Sequence, residues 1–154
     1  MNTSLKKIIA TNRKASFNYH IEERIEAGII LTGPEAKSLR FKTSNIQDSH
    51  ADFIKGELYI LNMYIAEYDK AKSFIKQIPR KPRKLLLHKK QSNKLLGKIK
   101  EKGYTLIATS LYFNEKNIAK IELALAKGKK LHDKREDIKM KDWQKEQART
   151  MREK

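Results

Sequence analysis

Apolar and polar positions alternate first at residues 17–22, where Phe17, Tyr19 and Ile21 are interleaved with Asn18, His20 and Glu22. A period of two predicts a strand with one buried face. Ile25, Ala27, Ile29 and Leu31 resume the alternation after a bend, with Gly28 as a candidate bulge. Thr32-Gly33-Pro34-Glu35 predicts a helix start, because Thr32 can cap, Glu35 can reach back and Pro34 suits the first turn. That helix should end near Arg40. Residues 51–55 and 57–65 form a predicted hairpin about Gly56, with Phe53, Tyr59, Leu61 and Met63 as expected core contributors. Residues 67–82 are polar and end among prolines, which predicts an extended connector. Leu95, Leu96 and Ile99 make one apolar stripe on a predicted helix over 89–102, which Gly103 is placed to end. Strands over 104–113 and 118–126 follow, joined by Asn114-Glu115-Lys116-Asn117.

About six strands and two internal helices in roughly 110 residues predict a β-rich α+β domain, best satisfied by a small closed antiparallel barrel. A two-layer sandwich is the competing architecture. The periodic pattern stops near Lys127, so the chain divides into a domain over 1–127 and a tail over 128–154.

The tail has its own grammar. Asp133-Lys134-Arg135-Glu136 has the order of a capping box, and Asp137 with Lys141, and Arg149 with Glu153, stand at helical spacing. Its larger apolar residues from Asp133 onward, Ile138, Met140, Trp143 and Met151, are spread over more than one face. A helix with good propensity and no packing partner is marginal in water. The tail is expected to be largely disordered when free and helical when lodged in a binding channel, with a helix docked on its own domain as the alternative.

Charge narrows the function. Lys and Arg total 35 against 18 acids, a net charge of +17, which calls for a polyanionic partner. No apolar stretch is long enough to span a bilayer, and the first ten residues lack a secretory pattern, so a cytoplasmic protein without a membrane partner is expected. The absence of cysteine removes disulfides and thiolate chemistry. Residues 80–102 hold ten cations and one acid, Glu101, which predicts a phosphate-binding surface on and before the second helix. Ala126-Lys127-Gly128-Lys129-Lys130 is a second basic cluster and Asn12-Arg13-Lys14 a third. His20, His50, His88 and His132 are scattered singly, and no nucleophile–base set, metal-spaced pair or phosphate loop is present. No catalytic residue, metal or cofactor is expected.

Five stretches together carry a resemblance: Glu26-Ala27-Gly28-Ile29, Glu35-Ala36-Lys37-Ser38-Leu39-Arg40, Arg83-Lys84-Leu85-Leu86-Leu87, Ala126-Lys127-Gly128-Lys129-Lys130 and His132-Asp133-Lys134-Arg135-Glu136-Asp137-Ile138. In this order they resemble the SmpB family, the SsrA-binding proteins that partner transfer-messenger RNA (tmRNA) in bacteria. The resemblance implies an OB-like barrel with flanking helices, working in trans-translation. It implies binding to the tRNA-like domain of tmRNA through Asn12, Glu26, Leu86 and Lys120, with Lys127, Gly128 and Lys129 beside them. It also implies a tail that approaches the 16S rRNA decoding centre of the small ribosomal subunit with His132, Asp133, Lys134 and Arg135. Trp143 and Met151 would lie further along the empty mRNA channel. Elongation factor Tu would be an indirect partner through tmRNA. Ser16 and Phe17 stand where many relatives carry Arg-His, so the resemblance implies no RNA contact there. From the residues alone, a general ribosomal or ribosome-assembly protein would carry the same charge and strands, and an RNA-modifying enzyme is the third class.

Overall fold

The computed structural model describes residues 6–69, 76–101, 103–128 and 131–152. Its elements run β1 (Lys7–Thr11), α1 (Ala15–Asn18), β2 (Tyr19–Ile29), α2 (Gly33–Phe41), β3 (Ser44–Asn45), β4 (His50–Ile54), β5 (Glu57–Leu61), β6 (Tyr64–Ile65), β7 (Arg83–Leu86), α3 (Lys89–Ile99), β8 (Tyr104–Phe113), β9 (Ala119–Gly128) and α4 (Leu131–Arg152). Among the described residues the protein is mostly β with four helices. Six strands close into a ring in the order β8-β4-β5-β7-β2-β9, with β9 pairing back to β8 and every pair antiparallel. β1 adds to β8 beyond the end of β4, and β3 with β6 forms a separate two-stranded piece. Because the sheet closes on itself, the open-sheet sandwich does not form.

The ring has two apolar faces of unequal size. Its interior holds Ile25, Ala27, Ile60, Leu85, Leu106, Ile121, Leu123 and Leu125, with Leu95 of α3 and Leu39 of α2 joining the same cluster. Outside, Ile107, Ala124 and Ala126 form a small second cluster covered by Ala15 of α1 and flanked by Tyr19 and Ile21. Two bulges let the long strands serve both faces: one between Ile21 and Glu23 on β2, the other between Ala108 and Ser110 on β8. Each extra residue shifts the alternation by one and re-aims the side chains that follow.

Local chemistry explains the elements that the sequence made legible. Thr32 accepts from the Glu35 N–H while Glu35 Oε1 accepts from the Thr32 N–H, the reciprocal cap expected of α2. Lys55 and Gly56 adopt φ of 52° and 81°, the left-handed turn that a tight hairpin needs. α3 ends at Ile99 with Lys100 as its C-cap, short of the anticipated Lys102, so Gly103, at φ 89°, leads into β8 and does not itself end the helix.

Several expectations need correction. Phe17 and Asn18 lie in α1, not in a strand. The alternation there ends because Ala15 caps the outer cluster, and the strand begins at Tyr19. The β2 bulge lies near Ile21, while Gly28 is regularly paired with Leu86 and Lys120. On β5 the buried residues are Leu58 and Ile60, with Tyr59 and Leu61 half-buried. Both sets on that strand are apolar, so its alternation could not choose a face; pairing with β4 and β7 does. Met63 is fully buried and Phe53 packs on the core as expected. β1 and β7 were missed, being short strands that acquire partners only from distant sequence. The described residues form nine strands against the anticipated six; of the six in the ring only β7 was unforeseen, and the two strands expected over 17–31 are largely one, β2.

The tail is a helix from Leu131, so Asp133 stands inside its first turn and does not cap it. The anticipated Asp137–Lys141 and Arg149–Glu153 pairs each involve a side chain outside the described set. Part of the 67–82 connector, residues 70–75, also lies outside it.

Candidate nucleic-acid interface

Register builds the site. Gly28 of β2 pairs with Leu86 of β7 on one side and with Lys120 of β9 on the other, and Glu26 is two residues back on the same outward face of β2. These residues, with His88, Gln91 and Ile118, line one open groove of about 420 Å³. Leu86 is 52% exposed and Ile118 is 50% exposed, so the floor is apolar and wet. A Cβ on Gly28 would come within 3.4 Å of the Leu86 Cβ. The glycine thus leaves a notch between two strands that a flat ring or sugar can approach.

Three residues from separate strands therefore meet in one groove: a carboxylate, an apolar side chain and a cation. Beneath them, Glu26 lies directly opposite Glu122 across the β2–β9 pair. Like charges in that position repel. Each carboxylate is given its own donor. Arg24 Nη1 donates to Glu122 Oε1 at 3.0 Å, and the Tyr112 hydroxyl donates to Glu26 Oε2. Tyr112 pairs with Lys120, faces outward, and is only 2% exposed. Burial and then the Glu26 carboxylate push its phenol well above the ordinary tyrosine range, so it remains a donor. Lys6 Nζ lies 4.7 Å above its ring. The place of Tyr112 beside Glu26 was not legible in the sequence, because it follows only from two strand registers.

The other expected residues are dispersed. Asn12 lies further along β8: its Nδ2 donates to the Ala108 carbonyl at 3.1 Å and to that of Gln47 at 3.4 Å, and its N–H donates to the Thr109 carbonyl. Its amide pins the chain after β1 to β8, at the rim of a second groove that it shares with Lys14, Asn18, Tyr19 and Gln47. Lys127 is exposed at the end of β9, with Nζ 4.5 Å over the Tyr104 ring. Lys98 of α3 approaches the same ring at 5.5 Å. The Tyr104 hydroxyl donates to Glu22 at 2.5 Å, and that carboxylate pushes the phenol up to about 12. Gly128 pairs with Tyr19, and a Cβ there would meet nothing within 4 Å. Lys129 lies outside the described residues.

On α4, Arg135, Trp143 and Met151 are exposed, as are Ile138 and Met140. The helix touches α1, where Lys141 Nζ lies 5.8 Å over the Phe17 ring. The side chains of His132, Asp133 and Lys134 lie outside the described set.

The expected phosphate surface over 80–102 is smaller than its charge. Arg83 is 2% exposed, its guanidinium held by Glu35 and by the carbonyls of Met63 and Pro79. Lys81 also faces Glu35, Lys84 pairs with Glu57 at 3.1 Å and Lys94 with Glu23 at 3.2 Å. The absence of local acids misled the sequence reading, because the partners come from other elements. Lys89 and Lys90 of α3 and Lys100 at its C-cap have no acidic partner among the described residues and are the cations left for a ligand.

Among the described residues no group of three or more His, Cys, Asp or Glu could hold a metal, and no helix is long and apolar enough to cross a membrane.

Comparison with known proteins points the same way. A family model described as SmpB protein matches residues 9–153. The SsrA-binding protein of Rickettsia bellii (strain OSU 85-389) is 59% identical over 149 residues, 97% of this chain and 98% of its own. That of Rickettsia canadensis (strain McKiel) is 58% identical over 152 residues, 99% of each chain. A solved chain described as "tmRNA-SmpB: a journey to the center of the bacterial ribosome" is similar at a TM-score of 0.66 and 47% identity, covering 84% of this chain and 93% of its own.

Proposed function

This chain belongs to the SmpB family, and from that premise we propose that it is an RNA-binding factor of trans-translation. It binds the tRNA-like domain of tmRNA, helps deliver it to stalled ribosomes, and lets the stalled peptide be tagged and the ribosome released. Elongation factor Tu takes part through the RNA. The protein acts in the cytoplasm as a binding factor and not as an enzyme.

One observation carries the RNA-binding reading: Glu26, Leu86 and Lys120, from three strands, line a single groove with a glycine notch at its floor. A nucleotide needs an apolar face to rest on, an acceptor for its donors and a cation for its phosphate. The groove offers all three. We read the six-strand ring as an OB-like barrel, with Asn12 at a second rim and Lys127, Gly128 and Lys129 continuing the basic edge toward the tail. The barrel is the rigid part that holds the RNA.

The tail is the conditional part. A helix whose large apolar side chains are exposed has little burial to hold it, so α4 forms stably where a partner covers it. In this reading His132, Asp133, Lys134 and Arg135 meet the decoding centre, and Trp143 and Met151 lie along the empty mRNA channel. Truncation after Lys130 separates the two parts. In an in vitro tagging assay on a non-stop message, the shortened protein is expected to bind the tRNA-like fragment with unchanged affinity and to lose tagging. Tagging at the full-length level would reject the division of labour. Equal affinity of the intact protein for the tRNA-like fragment and an unrelated hairpin would reject the RNA assignment.

A further inference from the structure

We propose that Tyr112 is a positioning residue for RNA recognition: its hydroxyl fixes the Glu26 carboxylate as an acceptor for N–H or O–H donors of the bound RNA. The inference rests on the reading of the Glu26–Leu86–Lys120 groove as an RNA contact, and it assigns a role to a side chain that does not itself reach the ligand.

A protein of net charge +17 that grips a polyanion gains nothing from a carboxylate aimed at phosphate. Yet Glu26 is exposed in the groove, beside Lys120. A carboxylate repels phosphate and accepts only from donors, and the donors of RNA are base N–H groups and the ribose hydroxyl. Glu26 therefore sorts orientation. A strand laid with its phosphate toward Lys120 and a donor toward Glu26 is favoured, and the reverse placement meets repulsion.

Such sorting needs the carboxylate to be held still and to keep its charge. Arg24 satisfies Glu122, which lies directly across from Glu26, by an ion pair, and that pair cancels the charge it holds. Tyr112 does otherwise. A phenol donates a hydrogen bond to Glu26 Oε2 without bringing a positive charge, so the other lone pairs remain those of an ionised acceptor. The ring is buried although it faces outward on β8, so its hydroxyl is a fixed point in place of a mobile side chain. Gly28 and Leu86 supply the surface over which the nucleoside lies.

The test is a double-mutant cycle on the full-length chain, with the tRNA-like fragment of tmRNA as the probe at fixed salt. Glu26→Gln is expected to weaken binding about tenfold, and Tyr112→Phe by about five- to tenfold. The double variant should bind no more weakly than Glu26→Gln alone, because the hydroxyl acts only through that carboxylate. The slope of log affinity against log salt should not change in Tyr112→Phe, since no cation is lost. Wild-type affinity for Tyr112→Phe alongside a weakened Glu26→Gln overturns the proposal, and so does simple additivity, the pattern that a general loosening of the fold would give. A Glu26→Gln protein that binds normally while the parent still selects the fragment over a hairpin overturns the positioning role alone. Failure of the parent to select the fragment overturns the RNA assignment instead.

Discussion

The basic segment over 80–98 and the helix α4 reverse what their local charge balance predicts. The first holds eight cations and no acid, yet Lys81, Arg83, Lys84 and Lys94 are all paired with carboxylates from other elements. In α4 acids and cations are interleaved, yet no ion pair joins its described side chains, and every one of them is exposed. Charge in the first segment is thus largely part of the fold. Charge in the second faces outward, where only a partner can use it. The count of lysines and arginines in a stretch therefore does not measure its binding surface. What measures it is the number left after distant carboxylates have taken their share.

Breaking the internal side of this contrast should give the largest effect. Arg83→Met leaves the Glu35 carboxylate buried with the Thr32 N–H and, as its one remaining cation among the described residues, the partly exposed Lys81, and loss of one member of a buried pair costs about 3–5 kcal/mol. Urea denaturation measures this directly. A loss below about 1 kcal/mol would mean that the pair behaves like a surface contact.

Acid should probe the same pair more gently. Burial raises the pKa of Glu35, but the Thr32 N–H, Arg83 and Lys81 together outweigh it and hold the carboxyl below its ordinary value of 4.5. With the folded pKa depressed, the contribution is complete above the unfolded value and is lost as pH falls through the folded one. The urea midpoint should drop in that acidic window, and Glu35→Gln should show a flatter acid limb from a lower starting stability.

The smallest effect discriminates most finely between spent and available charge. Lys120→Met removes a cation from the groove, and the salt slope of tRNA-like fragment binding should fall by about 0.7–0.9. Lys94→Met removes one already neutralised by Glu23 and should leave that slope unchanged, with a stability change of about 0–1 kcal/mol. Equal slopes for the two variants would erase the distinction drawn between them.

What the chain determined by itself lies at short range. The cap at Thr32 and Glu35, the hairpin at Gly56 and the strands β8 and β9 need only neighbouring residues and were legible, whereas α3 ends at Ile99, short of Gly103. The family resemblance added the identities of Glu26, Leu86 and Lys120, which spacing could not have supplied. Tertiary structure decided the rest. A strand with apolar residues on both faces, like β5, has no preferred parity until its neighbours pair with it. Short strands such as β1 and β7 exist because distant strands offer them hydrogen bonds. The placement of Tyr112 on Glu26, 86 residues away, required two registers and a bulge to agree. Pairing across the ring is a property of closure, and closure is written in no single stretch of sequence.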